Sequence, residues 1–231
     1  MTMSIKIKLI GCGGIGTRLI YPLAQYLNYS NNVTEITIID GDAFEDRNKT
    51  RQFFKIFGNK ARVIADDLAK TYTKINFKSR EEYITIGNIN SFIRCDDVVF
   101  LCVDNHATRK LVSDYCEELE NILLISGGND YHDGNVQVFL RSNSENITQP
   151  LASIYHPEIA FPTDKNPGMM SKKEKMTCLQ EAERSPQLLF ANNAIASAMC
   201  SAYYAWEQKR LTYDEVYIDI LTGINRPVKR N

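Results

Sequence analysis

The run Ile5-Lys6-Ile7-Lys8-Leu9-Ile10-Gly11-Cys12-Gly13-Gly14-Ile15-Gly16 decides how this chain reads: a strand-length apolar stretch breaks into glycines, and helix-forming residues follow. Glycines 11, 13 and 16 fit G-x-G-x-x-G. The first permits a tight turn, the second lets the backbone approach a ligand, and the third lets the helix pack on the strand. A helix that starts there points its unpaired N–H groups and the positive end of its dipole at any anion in the turn. A glycine-rich turn without a ligand would leave the same trace, so the spacing alone leaves both readings open.

Outward from that turn, strand-like segments recur near residues 5–10, 34–39, 96–103, 121–126 and 135–141, with helix-length amphipathic stretches between the first four. This alternation predicts an α/β chain built on a Rossmann-like, doubly wound, mainly parallel sheet. Val98-Val99-Phe100-Leu101-Cys102-Val103 is continuously apolar, as a strand covered on both faces should be. Helices are expected over about 15–27, 60–72, 107–119 and 187–208. Between about 142 and 176 the periodicity is lost among Asn, Ser, Pro and Lys, which predicts a long crossover loop. Residues 215–221 and 224–229 flank Thr222-Gly223 and predict a closing hairpin, an antiparallel C-terminal extension of the sheet. A length of 231 residues is expected to form a single domain, 1–231.

With 27 Lys+Arg against 28 Asp+Glu the net charge is −1, so nothing calls for a nucleic-acid backbone or an anionic membrane as partner. No apolar run approaches the roughly 20 residues of a membrane span, and the N-terminal apolar stretch is only a strand long, so a soluble, cytoplasmic chain is expected. Cysteines stand at 12, 95, 102, 116, 178 and 200 without any C-x-x-C, so no zinc site is expected. Cys95, Cys102, Cys116 and Cys200 lie in apolar or helical segments and read as small core residues.

Beyond the glycines, Ile38-Ile39-Asp40-Gly41-Asp42 places Asp40 at a strand's carboxyl end, where an acid can accept hydrogen bonds from both hydroxyls of a nucleotide ribose. A turn acid or helix cap would look the same. Asn48-Lys49-Thr50-Arg51-Gln52-Phe53 and Gly58-Asn59-Lys60 then bring amide and cationic groups toward that turn. Asp104-Asn105 follows the buried strand, and its reading as a cap for the next helix is compatible with metal binding.

Taken in order, Gly11-x-Gly13-Gly14-x-Gly16, Asp40-x-Asp42, Asn48-x-x-Arg51-Gln52, Lys60-Ala61-Arg62 and Asp104-Asn105 resemble the ubiquitin-activating-enzyme superfamily, of ThiF, MoeB and HesA type, over roughly residues 5–128. Members bind ATP with magnesium and adenylate the C-terminal carboxylate of a small ubiquitin-like or sulfur-carrier protein. The resemblance therefore implies a nucleotide site made of Gly11, Gly13, Gly14, Gly16, Asp40, Asn48, Arg51, Lys60, Asp104 and Asn105. Asp40 would hold the ribose, Asn48, Arg51 and Lys60 the phosphates, and Asp104 the magnesium. It also implies a homodimer with a flexible-tailed protein substrate. Cys178, after Lys172-Lys173-Glu174-Lys175, lies where some members carry a cysteine that takes the acyl group from AMP. An ordinary half-buried thiol is the other reading of it. The four zinc cysteines of many relatives are missing, which places the chain in a zinc-free branch. The first strand begins a few residues into the chain, so the helix that in relatives lends an arginine to the dimer partner's site is not expected.

Two other readings stay open at this level. The glycines and Asp40 suit the dinucleotide of an NAD-dependent oxidoreductase equally well, although no His or Tyr-Lys pair announces hydride chemistry. A non-catalytic nucleotide-binding scaffold would keep the same fold.

Overall fold

The apolar residues of the central strands divide by parity between two cores, and that division builds the architecture. In the computed structural model, which describes residues 5–30, 33–50, 52, 54, 56–170 and 189–230, β1 (Ile5–Ile10) lies between β2 (Val33–Ile39) and β6 (Asp97–Leu101), parallel to both. Val98 and Phe100 join Ile7 and Leu9 in one buried cluster, while Val99 and Leu101 join Ile10 in the other. A strand buried on both faces needs apolar residues at every position, which is why β6 reads as an unbroken run.

The first cluster is closed by α1 (Gly16–Ser30), α2 (Lys60–Thr71) and α6 (Leu189–Glu207), and the second by α3 (Ile89–Phe92), α4 (His106–Glu117) and α5 (Pro157–Ala160). Parallel neighbours β5 (Asn76–Arg80) and β7 (Ile122–Asn129) extend the sheet at either side. Beyond β7 the direction reverses through β8 (Asp133–Ser142), β10 (Glu215–Asp219) and β11 (Ile224–Val228), with β9 (Glu145–Asn146) folded onto β8. The nine-stranded order is β11-β10-β8-β7-β6-β1-β2-β5, with β9 off that path. A mainly parallel sheet with a C-terminal antiparallel extension is therefore the architecture, as the alternation predicts.

Two expectations need amending. The alternation does not predict β5: Asn76-Phe77-Lys78-Ser79-Arg80 has one apolar residue, because this edge strand is held by backbone pairing to β2 with its outer side in water. Cys95 is exposed rather than a core residue, since it sits in the turn before β6, beside Asp96 at φ 67°. The crossover loop is well anchored over its first half. Leu151, His156 and Ile159 are buried, and His156 bonds Glu158 (2.8 Å) and the fully buried Glu215 (2.9 Å), tying the loop to β10. Arg230 closes the same clasp by donating to the carbonyls of Gln149 and Pro150. Among the described residues no helix is long and apolar enough to cross a membrane.

Candidate functional site

The turn after β1 has the shape its glycines predict. Gly11 adopts φ +91°, where a Cβ would stand 2.7 Å from the Cys102 carbonyl oxygen, and a Cβ on Gly16 would stand 2.1 Å from the Gly11 carbonyl oxygen. Both positions therefore exclude side chains by contact with backbone. Gly13 differs: nothing lies within 4 Å of where its Cβ would be, so its side of the turn is open. Gly11 N–H donates to Ile39 and Cys12 N–H to Asp40, but among the described groups none accepts from the N–H of Gly13, Gly14 or Ile15. Three unused donors just before a 15-residue helix are the chemical features that can receive an anion.

Asp40 locks the end of β2 against this turn. Its Oδ2 accepts from Cys12 N–H at 2.6 Å and its Oδ1 from Asp42 N–H at 2.7 Å, with the residue 9% exposed. Burial raises its pKa to about 6; Asp42 adds to the rise, while Lys60 and the two backbone donors oppose it. Each oxygen keeps a lone pair for a further donor.

Lys60 reaches the same place by a short path. A two-residue ladder pairs β3 (Ala43–Phe44) with β4 (Gly58–Asn59), and Lys60 N–H donates to the Asp42 carbonyl. Asn59 caps α2 by accepting from Arg62 N–H, and its amide donates to the carbonyls of Asp40 and Asp42. Lys60, at the first position of α2 and 6% exposed, thereby sets its Nζ 3.1 Å from Asp42 Oδ2. Burial works against its charge, but Asp40 and Asp42 outweigh that and raise the ammonium above its usual range. Tyr83 donates to the other oxygen of Asp42.

Asn48 is buried in the 3-10 turn Asp46–Thr50, where its Oδ1 accepts from Glu45 N–H. Asp104, just beyond β6, is exposed, and Asn105 caps α4 by accepting from Thr108 N–H at 2.8 Å. The crossover loop meets this rim: Asp164 accepts from the N–H groups of His106 (2.7 Å) and Ala107 (2.8 Å), and Asn166 donates to Ile84 and Thr108. Arg109, buried, donates to the carbonyls of Val103 and Gly127 and to the Ser126 hydroxyl, fastening the ends of β6 and β7 together. Arg51 and Cys178 lie outside the described residues.

The carboxyl ends of β1, β2 and β6 thus carry the glycine turn, Asp40 and Asp104, and Lys60 joins Asp42 beside Asp40. A nucleoside phosphate fits this donor and acceptor set. Among the described residues no three His, Cys, Asp or Glu side chains cluster to hold a metal, so a magnesium here would take Asp104 together with phosphate and water oxygens, as suits that ion. The described cysteines are poor nucleophiles except for exposed Cys95. Burial raises the thiol pKa of Cys12 and Cys116, that of Cys102 to about 12 and that of Cys200 to about 11.

Sequence reasoning left three contributors without roles. Asn59 carried a usable signal, an Asn directly before a helix. Asp42 is marked only by its spacing from Asp40, and Asp164 has no signal inside an aperiodic loop.

The sequence model of the ThiF family matches residues 2–205. SUMO-activating enzyme subunit uba-2 of Caenorhabditis elegans is 28% identical over 145 residues, covering 61% of this chain and 24% of that protein. Adenylyltransferase and sulfurtransferase MOCS3 of Bos taurus is 32% identical over 114 residues, 48% of this chain and 24% of the relative. The chain thus spans about a quarter of the length of these two curated relatives. The crystal structure of E. coli MccB with ATP superimposes with a TM-score of 0.71 at 18% identity, over 98% of this chain and 64% of that one, which is a likeness of fold.

Proposed function

We propose that this chain, which belongs to the ThiF family, is an ATP-dependent adenylyltransferase that activates the C-terminal carboxylate of a small ubiquitin-like or sulfur-carrier protein. The observation that carries the reading is the bond from Cys12 N–H to Asp40, which sets a buried acid beside a turn with three unused N–H donors. The relatives, a SUMO-activating enzyme subunit and an adenylyltransferase and sulfurtransferase, support the same chemistry, as does a structural neighbour solved with ATP.

In this reading Asp40 accepts from the ribose hydroxyls, and the N–H groups of Gly13, Gly14 and Ile15 donate to the α-phosphate. Lys60, with two N–H bonds left after Asp42, joins Asn48 and Arg51 in gathering the phosphate charge. The substrate carboxylate is ionised at neutral pH and needs no base. One of its oxygens bonds to the α-phosphorus, the bond from that phosphorus to the bridging oxygen of the β-phosphate breaks, and pyrophosphate leaves with the electron pair. Magnesium held by Asp104 would neutralise charge on the phosphates. Removing one fixed cation from such a site costs about 3 kcal/mol of transition-state stabilisation. Cys178 is proposed to take the acyl group as a thioester, its thiolate displacing AMP. The protein is further proposed to act in the cytoplasm as a homodimer.

The test is exchange of labelled pyrophosphate into ATP, with and without β-grasp proteins that end in a free carboxylate. Carboxylate-dependent exchange that Lys60→Ala abolishes supports the proposal. ATP binding without exchange for any such protein would favour a scaffold, and NAD binding without ATP binding an oxidoreductase.

A further inference from the structure

One polar side chain in the apolar core has no partner among the described residues, and it lies against the glycine turn. Asn192 is on the buried stripe of α6, whose other members are Ala191, Ile195, Ala196, Met199, Ala202 and Tyr203. It is 0% exposed, and neither its Oδ1 nor its Nδ2 has a hydrogen-bond partner among the described residues. Native proteins rarely keep a buried carboxamide unsatisfied at both ends, and where they do the group calls for a functional explanation. A Leu of similar size would suit this stripe without that cost.

Its location supplies the explanation. A Cβ on Gly14 would stand 2.5 Å from Asn192 Nδ2 and 2.8 Å from Oδ1, so the carboxamide abuts the Gly14 Cα and only glycine fits opposite it. Gly14 is the middle residue of the three whose N–H groups have no acceptor. An unsatisfied side-chain donor and three unsatisfied backbone donors therefore meet at one turn, contributed by two helices from distant parts of the chain. The group these four donors lack in common is an anionic acceptor, whereas Asn192 Oδ1 needs a donor of its own.

We propose that Asn192 is a nucleotide-binding residue, its Nδ2 donating to a phosphate oxygen of the nucleotide seated on the Gly13–Ile15 turn. The inference rests on the ATP-binding reading above and adds α6 to the elements that build the site. It also assigns Gly14 a second duty: the glycine leaves room for the carboxamide as well as for the phosphate.

The experiment compares wild type, Asn192→Leu and Asn192→Ala, measuring the melting temperature without nucleotide and the dissociation constants for Mg·ATP, AMP and adenosine. The proposal expects Asn192→Leu to melt at or above the wild-type temperature while ATP and AMP bind roughly 10- to 100-fold more weakly, as loss of a hydrogen bond to a charged group implies. Adenosine, which has no phosphate, should bind as to wild type. Unchanged ATP and AMP affinity overturns the proposal, and so does an equal loss for adenosine, which would mean a change of pocket shape. Should Asn192→Leu fail to fold, Asn192→Ala carries the same comparison with the same two refuting outcomes. Wild type that binds no ATP would sink the functional reading and this inference together, whereas wild type that binds ATP with unaltered variants sinks this inference alone.

Discussion

Replacing Asp40 with Asn tests the nucleotide site at its most connected residue. The carboxylate serves Cys12 N–H at 2.6 Å and Asp42 N–H at 2.7 Å, one per oxygen. A carboxamide can accept only one of these and turns an NH2 toward the other donor. A hydrogen bond to a charged group contributes about 1.5–3 kcal/mol, but burial already disfavours the charged form, so a net loss below that range, about 1 kcal/mol, is expected. For a chain of this length that is a fall in Tm of roughly 2–4 °C. Binding should suffer more: losing one ribose contact to the carboxylate weakens ATP by roughly 10- to 100-fold. Calorimetric titration with ATP and with 2′,3′-dideoxy-ATP separates the two effects. Wild type should discriminate against the dideoxy nucleotide by that factor and Asp40→Asn should discriminate far less. Equal discrimination by both proteins refutes the ribose assignment. The pH dependence gives a second reading. Folded Asp40 titrates at about 6, above the roughly 3.9 of an unfolded chain, so its contribution to stability is present below pH 4 and lost as pH rises through 6. Ribose binding wants the ionised form, so ATP affinity should rise over the interval in which this contribution to stability falls, and Asp40→Asn should remove both slopes.

Gly16→Ala drives a Cβ to 2.1 Å from the Gly11 carbonyl oxygen and should cost at least about 1–3 kcal/mol in chemical denaturation. Gly13→Ala meets nothing and should stay within about 0.5 kcal/mol of wild type while weakening ATP binding; normal ATP affinity in that variant argues against phosphate contact at the turn. His156, against whose charge burial works, is held protonated above its usual range by its bonds to Glu215 and Glu158, so its contribution is present below about pH 6.5 and lost as pH rises through the raised value. Burial also opposes the charge on Glu215, but the bond from His156 outweighs it and lowers that pKa, so the Glu215 contribution is lost on acidification instead. Hydrogen exchange in 147–160 should accordingly quicken at alkaline pH, and a profile unchanged by His156→Gln would refute the clasp. Asp104→Asn should raise the magnesium concentration needed for half-maximal ATP binding, with no change in Tm; an unaltered magnesium dependence removes Asp104 as the ligand.

The parts of the molecule that were legible in the sequence are those whose physics is local. Gly11 and Gly16 are forced by backbone contacts within one turn, the β6 run by two-sided burial, and the β10–β11 hairpin by Thr222-Gly223. Asp40 announced itself as an acid at a strand's end. What stayed hidden depends on distant pairing. β5 has almost no apolar signal because β2 supplies its hydrogen bonds, Asp164 reaches α4 from 57 residues away, and Asn192 meets Gly14 only once α6 is packed on α1. Lys60 is legible only through the resemblance, and its pairing with Asp42 depends on the β3–β4 ladder. Arg51 and Cys178, read from the resemblance, lie outside the described residues.

A crystal structure with magnesium and a non-hydrolysable ATP analogue bears most directly on the central claim. The α-phosphate should sit on the N–H groups of Gly13, Gly14 and Ile15 with the ribose hydroxyls on Asp40 and Lys60 Nζ at the phosphates. A nucleotide bound elsewhere, or one whose phosphates point away from that turn, would contradict the account.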